Sequence, residues 1–99
     1  MERRGGDGQN PRPDGTTVVL ALYKFDSCPY CQKVFRAIDA LNVNVEYRDI
    51  RKDATWRQDL YQHTNRTTVP CLKIDDRYLH ESTDIVAWLR RHYPPKPPA

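Results

Sequence analysis

The 99-residue sequence has no hydrophobic run that approaches the roughly 18 apolar residues of a membrane-spanning helix. Its first sixteen residues have no apolar core segment and include acidic side chains, so neither a signal peptide nor an organelle transit peptide is expected. A reducing cytoplasm is the default compartment for such a chain. We therefore expect a soluble cytoplasmic protein that does not bind a membrane.

Cysteine is scarce, and three is an odd number that does not suit a disulfide framework. No second C-x-x-C or H-x₃₋₅-H pair accompanies Cys28 and Cys31, and the spacing of His63, His80 and His92 does not indicate a shared metal. The net charge of +3 is too small to indicate nucleic acid binding, although it suits a small anionic ligand. We expect neither a metal nor a nucleic acid partner.

Glycine is confined to the first fifteen residues, which contain all four glycines, two prolines and a single apolar residue, Met1. Such a segment cannot bury enough apolar surface to stay ordered. We therefore predict a mobile tail over residues 1–15, one folded domain over residues 16–93, and an extended proline-rich tail over residues 94–99.

The pattern of the folded part indicates alternating strands and helices. An apolar run over residues 17–25 predicts a buried strand, apolar residues at helical spacing predict a helix over 29–41, and period-two alternation predicts a strand over 43–50. This order implies a right-handed parallel crossover. The later signals predict a helix from Asp53 or Thr55 to about His63, strands over 69–74 and 77–80, and a helix from Ser82 or Thr83 through Arg91.

A tight turn separates the last two strands, so they must pair as an antiparallel hairpin. The chain is therefore predicted to be an α/β protein with a thioredoxin-like fold, in which three helices flank a four-stranded mixed sheet. We expect Trp56 and Trp88 to pack in the core, since both lie at helical core spacing.

A C-x-x-C motif, Ser27-Cys28-Pro29-Tyr30-Cys31, lies where the first buried strand meets the first helix. Proline suits the first helical turn, where its missing N–H needs no partner. Cys28 is then expected at the helix N-cap, where free N–H groups and the helix dipole stabilise a thiolate. Cys31 lies one turn later and can form a disulfide with it. A C-x-x-C at the carboxyl end of a parallel strand is typical of a redox site.

The C-P-Y-C motif at residues 28–31, the R-T-T-V-P segment at residues 66–70 and the polar turn before the last helix together resemble the glutaredoxin family. The resemblance covers about residues 18–93. It implies a monomeric, glutathione-dependent thiol–disulfide oxidoreductase that acts on glutathionylated or disulfide-bonded proteins. Glutathione would be its cosubstrate, without a tightly bound cofactor.

The same resemblance assigns the site residues. Cys28 is expected to be the nucleophile and Cys31 the resolving thiol. Val69 would offer its backbone to the cysteine of glutathione, and Pro70 would follow a cis peptide bond. The full set of implied glutathione-binding residues is Tyr30, Arg66, Thr68, Val69, Pro70, Glu81, Ser82 and Thr83.

The chain departs from the glutaredoxin pattern ahead of the first cysteine. Many glutaredoxins have a lysine three residues before it, where this chain has Phe25, and Lys24 lies one residue earlier. Because side chains alternate along a strand, Lys24 is expected to point the wrong way. The glycine carboxylate of glutathione is therefore expected to depend on Arg66 or on a basic residue of the second helix such as Arg57.

A second departure lies at the last helix, where His80-Glu81-Ser82-Thr83-Asp84 replaces a pattern that commonly starts with two glycines. This turn looks like the glutathione-binding turn of the glutathione transferase N-terminal domain. Hydroxyl and backbone N–H groups would receive the γ-glutamyl carboxylate, and an acidic side chain would receive its ammonium. The alternative is a plain helix cap without a ligand.

The same resemblance leaves two other functions open, and Cys71 has a separate expected role. An iron–sulfur carrier would hold a [2Fe–2S] cluster with Cys28 of two subunits and two glutathiones, although Pro29 resembles members that usually bind no cluster. The N-terminal half of a glutathione transferase is expected less, because that architecture needs an all-helical second domain for which 99 residues leave no room. Cys71 is expected to be an inert core residue.

Overall fold

The computed structural model describes residues 6–12 and 14–93. The elements are β1 (Gln9–Pro11), β2 (Thr17–Lys24), α1 (Pro29–Leu41), β3 (Glu46–Asp49), α2 (Ala54–Thr64), β4 (Cys71–Ile74), β5 (Arg77–His80) and α3 (Ser82–His92). They agree with the predicted order except that β1 was not foreseen. In this part of the chain, no helix has the length and apolar character required to cross a membrane.

Strand β2 is the centre of a mixed sheet. Its residue Leu22 pairs in parallel with Tyr47 of β3 and in antiparallel fashion with Leu72 of β4, and Leu72 pairs in turn with Leu79 of β5. The parallel β2–α1–β3 crossover and the β4–β5 hairpin are therefore confirmed. Leu20, Leu22 and Tyr23 are fully buried, which explains why β2 is almost continuously apolar.

Helices cover both faces of the sheet. Leu22 of β2 belongs to a cluster with residues of α1 and α3, including Val34, Ile38, Ile85 and Leu89. A smaller cluster contains Tyr23, Ile50, Leu60 and Cys71, and lies between the sheet and α2. Successive residues of β2 supply opposite clusters because side chains alternate across a strand. The sheet is thus flanked by three helices, as predicted, but with β1 it has five strands in the described part of the chain rather than the predicted four.

The N-terminal segment differs from the expected mobile tail, because β1 pairs antiparallel with the beginning of β2, Gln9 opposite Val19. Asn10 is buried, and its side chain donates to the Asn44 carbonyl (2.7 Å) and accepts from the Asn44 N–H (3.0 Å). Composition did not reveal this strand because backbone and amide hydrogen bonds hold it rather than apolar burial. Residues 1–5 and the predicted C-terminal tail, 94–99, lie outside the described residues.

Candidate active site

Cys28 is the N-cap residue of α1, in an extended conformation (φ −75°, ψ 120°), and Pro29 opens the helix as predicted. The carbonyl of Cys28 accepts the first helical hydrogen bond, from the Gln32 N–H at 3.1 Å. The first turn of α1 contains no acidic residue. The positive end of the helix dipole is therefore not neutralised by a neighbouring carboxylate of the same turn.

Cys31 lies one turn further along α1 and is fully buried. Burial raises the pKa of its thiol to about 12, although a hydrogen bond from the Phe25 backbone N–H acts in the opposite direction. Both cysteines of the motif, like Cys71, are free thiols. Cys31 is consequently a protonated thiol at neutral pH, directly behind the more accessible Cys28.

The peptide bond between Val69 and Pro70 is cis, which confirms the prediction. Pro70 is buried, and Val69 packs against the same apolar cluster that contains Cys28 and Cys31. Within residues 6–12 and 14–93, the Val69 backbone N–H and C=O make no hydrogen bond. This short segment before β4 therefore keeps its polar backbone groups available. Thr68 is exposed beside it.

The turn before α3 holds Glu81 at φ 70°, a left-handed conformation that disfavours a residue with a side chain. Ser82 is the first helical residue and is 7% exposed, while Thr83 is exposed. No side chain of the described segments caps this helix. The first N–H groups of α3 are therefore free of a side-chain partner, and Ser82 is not the helix cap that the alternative interpretation required.

The basic residue above the Phe25 ring is Arg51, which was not among the basic residues expected near the motif. Lys24 is 2% exposed and its Nζ lies 2.5 Å from Asp26 and 3.3 Å from Asp49, so it is held in ion pairs, which the sequence did not predict. The guanidinium of Arg51 lies 3.8 Å from the centre of the Phe25 ring. Phe25 thus carries a cation above it although it replaces the usual lysine.

Sequence reasoning did not identify Arg51. Arg51 also contacts the motif itself, because its Nη1 donates to the Ser27 hydroxyl at 3.3 Å. A cavity of about 660 Å³ is lined by Phe25, Ile50, Arg51, Ala54, Arg57 and Thr67. The sequence did contain a signal for Arg51, because this residue follows β3 and the carboxyl ends of parallel strands meet at one edge of the sheet.

Tyr30 is 64% exposed next to Cys28, and Arg66 is exposed on the loop that follows α2. Cys71 lies instead in the cluster beneath α2, with its sulfur 3.8 Å from His80 Nε2, and burial raises the pKa of its thiol to about 12. The prediction that Cys71 is a core residue is confirmed. Over the described ranges, no group of three or more His, Cys, Asp or Glu side chains could hold a metal ion.

Selective alkylation tests whether the three thiols differ in reactivity. Burial raises the pKa of the Cys31 and Cys71 thiols to about 12, so both stay protonated near pH 7, and both sulfurs are inaccessible, whereas Cys28 is 5% exposed. We expect iodoacetamide to modify Cys28 alone in the folded protein, and all three cysteines in denaturant, as read by peptide mass spectrometry. Equal rates for Cys28 and Cys71 in the folded protein would contradict this arrangement.

The architecture and the paired cysteines define a thioredoxin-like domain. The family model described as "Glutathione S-transferase, N-terminal domain" matches residues 22–97, and the chain belongs to this family. The chain is also similar to two Escherichia coli (strain K12) proteins. Glutaredoxin 3 is 27% identical over 68 residues, covering 69% of this chain and 82% of the relative. Glutaredoxin 1 is 28% identical over 78 residues, covering 72% and 92%.

A solved structure, the glutathione transferase homologue from Drosophila mojavensis with bound glutathione, matches with a TM-score of 0.67 and 24% identity. The match covers 77% of this chain and 36% of that one, so the chain spans about a third of the transferase. At this identity the likeness shows the fold alone. Together the comparisons confirm the resemblance to glutaredoxins and the thioredoxin-like fold, within a family related to both glutaredoxins and glutathione transferases.

Proposed function

We propose that this protein is a glutathione-dependent thiol–disulfide oxidoreductase that reduces glutathionylated proteins and protein disulfides. One observation carries the proposal: two thiols lie one turn apart at the N-terminus of α1, Cys28 at the cap with 5% of its surface exposed and Cys31 fully buried behind it. An attacking thiol must be reachable, while a resolving thiol is required only after the first disulfide exchange. The glutaredoxin relatives support the same assignment.

The proposed reaction on a glutathionylated protein needs Cys28 alone. Its thiolate attacks the glutathione sulfur, so a bond forms between Cys28 and glutathione while the protein thiolate leaves and takes up a proton. A second glutathione, as thiolate, then attacks this disulfide. It releases oxidised glutathione and restores Cys28, and the net result exchanges one disulfide for another.

The proposed reaction on a protein disulfide also uses Cys31. Cys28 first becomes joined to one protein sulfur, and the other protein sulfur leaves as a thiol. Cys31 loses its proton and attacks Cys28, which releases the second protein thiol and leaves a Cys28–Cys31 disulfide for two glutathiones to reduce. Because burial raises the pKa of Cys31 to about 12, the rate of protein disulfide reduction should increase with pH more steeply than the rate of deglutathionylation.

Glutathione is proposed to lie across the ends of three elements. The free backbone groups of Val69 suit its cysteine, while the uncapped N-terminus of α3 with Ser82 and Thr83 suits the γ-glutamyl carboxylate. Glu81 would accept from the ammonium. At the other end, Arg51 and Arg57 line the cavity beside Phe25 and would receive the glycine carboxylate. Tyr30, Arg66, Thr68 and Pro70 would complete the site.

A coupled assay tests the proposal. A glutathionylated peptide, reduced glutathione, glutathione reductase and NADPH are mixed, and NADPH oxidation is followed with and without the protein. We expect a rate that depends on both the protein and glutathione. A rate equal to the background reaction at saturating glutathione would reject the oxidoreductase function.

A glutathione transferase is the second candidate, favoured by the family match over residues 22–97 and by the Glu81-Ser82 turn. A transferase would join glutathione to an electrophilic carbon and would require neither cysteine of the motif. Conjugation of glutathione to 1-chloro-2,4-dinitrobenzene that persists in a Cys28→Ser variant would favour this function. Thiol–disulfide turnover that disappears in the same variant would favour the first.

A further inference from the structure

Two neighbouring cavities along α2 share part of their lining, and we call the two together the α2 trough. The first is the cavity beside Phe25, which Arg51 also lines. The second has a volume of about 530 Å³ and is lined by residues of α2 and of the loop after it: Ala54, Arg57, Gln58, Tyr61, Asn65, Arg66 and Thr67. Ala54, Arg57 and Thr67 line both. The trough therefore leads from the edge of the cysteine motif along the outer face of α2.

The charges in the α2 trough all have one sign. Arg51, Arg57 and Arg66 line it, all three are exposed, and no Asp or Glu of the described residues contributes to its lining. None of the three arginines forms an ion pair with a carboxylate in residues 6–12 or 14–93. Three unpaired guanidinium groups around one depression attract an anionic ligand and raise its association rate.

Glutathione by itself does not account for these charges. It carries two carboxylates, and the proposed site directs one of them to the N-terminus of α3, which leaves one carboxylate for three arginines. A pocket for a small ligand measures about 300–1,000 Å³, so the cavity beside Phe25 is sufficient for that end of the tripeptide. The second cavity, lined by Tyr61, Gln58 and Asn65 beside Arg66, is not required for that end of the tripeptide, even though Arg66 is also assigned to the glutathione site.

The free part of the trough has the composition of a polypeptide-binding surface. Tyr61 is 56% exposed, and it lies beside Arg66 and the amide side chains of Gln58 and Asn65. Exposed tyrosine and arginine are enriched where proteins bind one another. A second copy of the chain docking face to face would bring the same three arginines together, and this repulsion disfavours a symmetric dimer here.

We propose that the second cavity of the α2 trough binds the polypeptide that carries the mixed disulfide, and that it selects substrates with acidic residues next to the glutathionylated cysteine. This inference rests on the proposed oxidoreductase function and names its substrate class. The trough adjoins the motif, so a polypeptide whose glutathionylated cysteine approaches Cys28 can reach it. Asp and Glu side chains of that chain would pair with the arginines that glutathione leaves free.

Two glutathionylated peptides of equal length test the inference, one with Glu and Asp around the cysteine and the other with Lys at the same positions. In the coupled assay at low ionic strength, we expect kcat/KM to be about 3- to 10-fold higher for the acidic peptide. The difference should shrink as salt is added, because exposed charges are screened.

A charge placed in the trough gives the matched comparison. Gln58→Glu adds a carboxylate to the lining, and we expect it to reduce the preference for the acidic peptide by about 1.5- to 5-fold. Gln9→Glu makes the same change on β1, which pairs with the beginning of β2, at the end away from Cys28, and should leave the preference unchanged. Neither residue belongs to the proposed catalytic or glutathione-binding set.

The outcomes separate the two claims. Equal turnover of both peptides at low salt, or equal effects of Gln58→Glu and Gln9→Glu, would overturn the substrate preference while leaving the oxidoreductase function in place. An increased KM for glutathione in Gln58→Glu, with the peptide preference intact, would assign the second cavity to glutathione and also overturn the inference. If neither peptide is turned over, the proposed function itself fails.

Discussion

The Cys28→Ser variant is expected to lose thiol–disulfide turnover down to the uncatalysed background, on every disulfide substrate. A hydroxyl at the α1 N-cap cannot replace the attacking thiolate, because a serine hydroxyl stays protonated at neutral pH and is a poor nucleophile towards sulfur. Cys31→Ser should retain activity on glutathionylated peptides and lose the reduction of protein disulfides, since only that branch requires a second thiol. Both rates are measured in the glutathione-coupled assay.

Cys71→Ser is the matched control, because this third free thiol is fully buried in the cluster beneath α2 and takes no part in the proposed reaction. It should leave both rates close to those of the unmodified protein, provided that thermal melting shows a folded variant. The glutathione-dependent assignment would be wrong if Cys31→Ser were as inactive as Cys28→Ser on a glutathionylated peptide.

The second large effect is expected from Ser82→Ala. In the proposed site the Ser82 hydroxyl donates to the γ-glutamyl carboxylate, and a hydrogen bond to a charged group contributes about 1.5–3 kcal/mol, or roughly 10- to 150-fold in affinity. We expect the KM for glutathione to rise by about that factor. Reduction of a small disulfide by dithiothreitol does not use this site, so it should change much less.

Thermal melting of the same variant distinguishes binding from helix capping. Loss of a cap costs about 0.5–2 kcal/mol, yet Ser82 opens α3 as its first helical residue and no side chain of the described residues caps the helix. The melting temperature should therefore change little. An unchanged KM beside a clearly lowered melting temperature would remove Ser82 from the glutathione site.

Much of this protein was determined by local sequence. The apolar run of β2 indicates a strand covered on both faces, and its Leu20 and Leu22 are fully buried. The bounds of α1, Pro29 to Leu41, follow from a proline at the first turn and apolar residues at helical spacing. These features could be predicted because periodicity, capping and turn residues act between neighbours in the chain. The cis bond before Pro70 was expected from the family resemblance.

The tertiary structure decided which distant groups meet. The stacking of Arg51 on Phe25, the α2 trough and the strand β1 each depend on segments that are separated in the chain and brought together by the sheet. Asn10 shows the reason: its two hydrogen bonds to the Asn44 backbone, 34 residues away, leave no trace in composition or periodicity. The complete burial of Cys31, which raises the pKa of its thiol, likewise depends on how α1 packs on the sheet rather than on the motif.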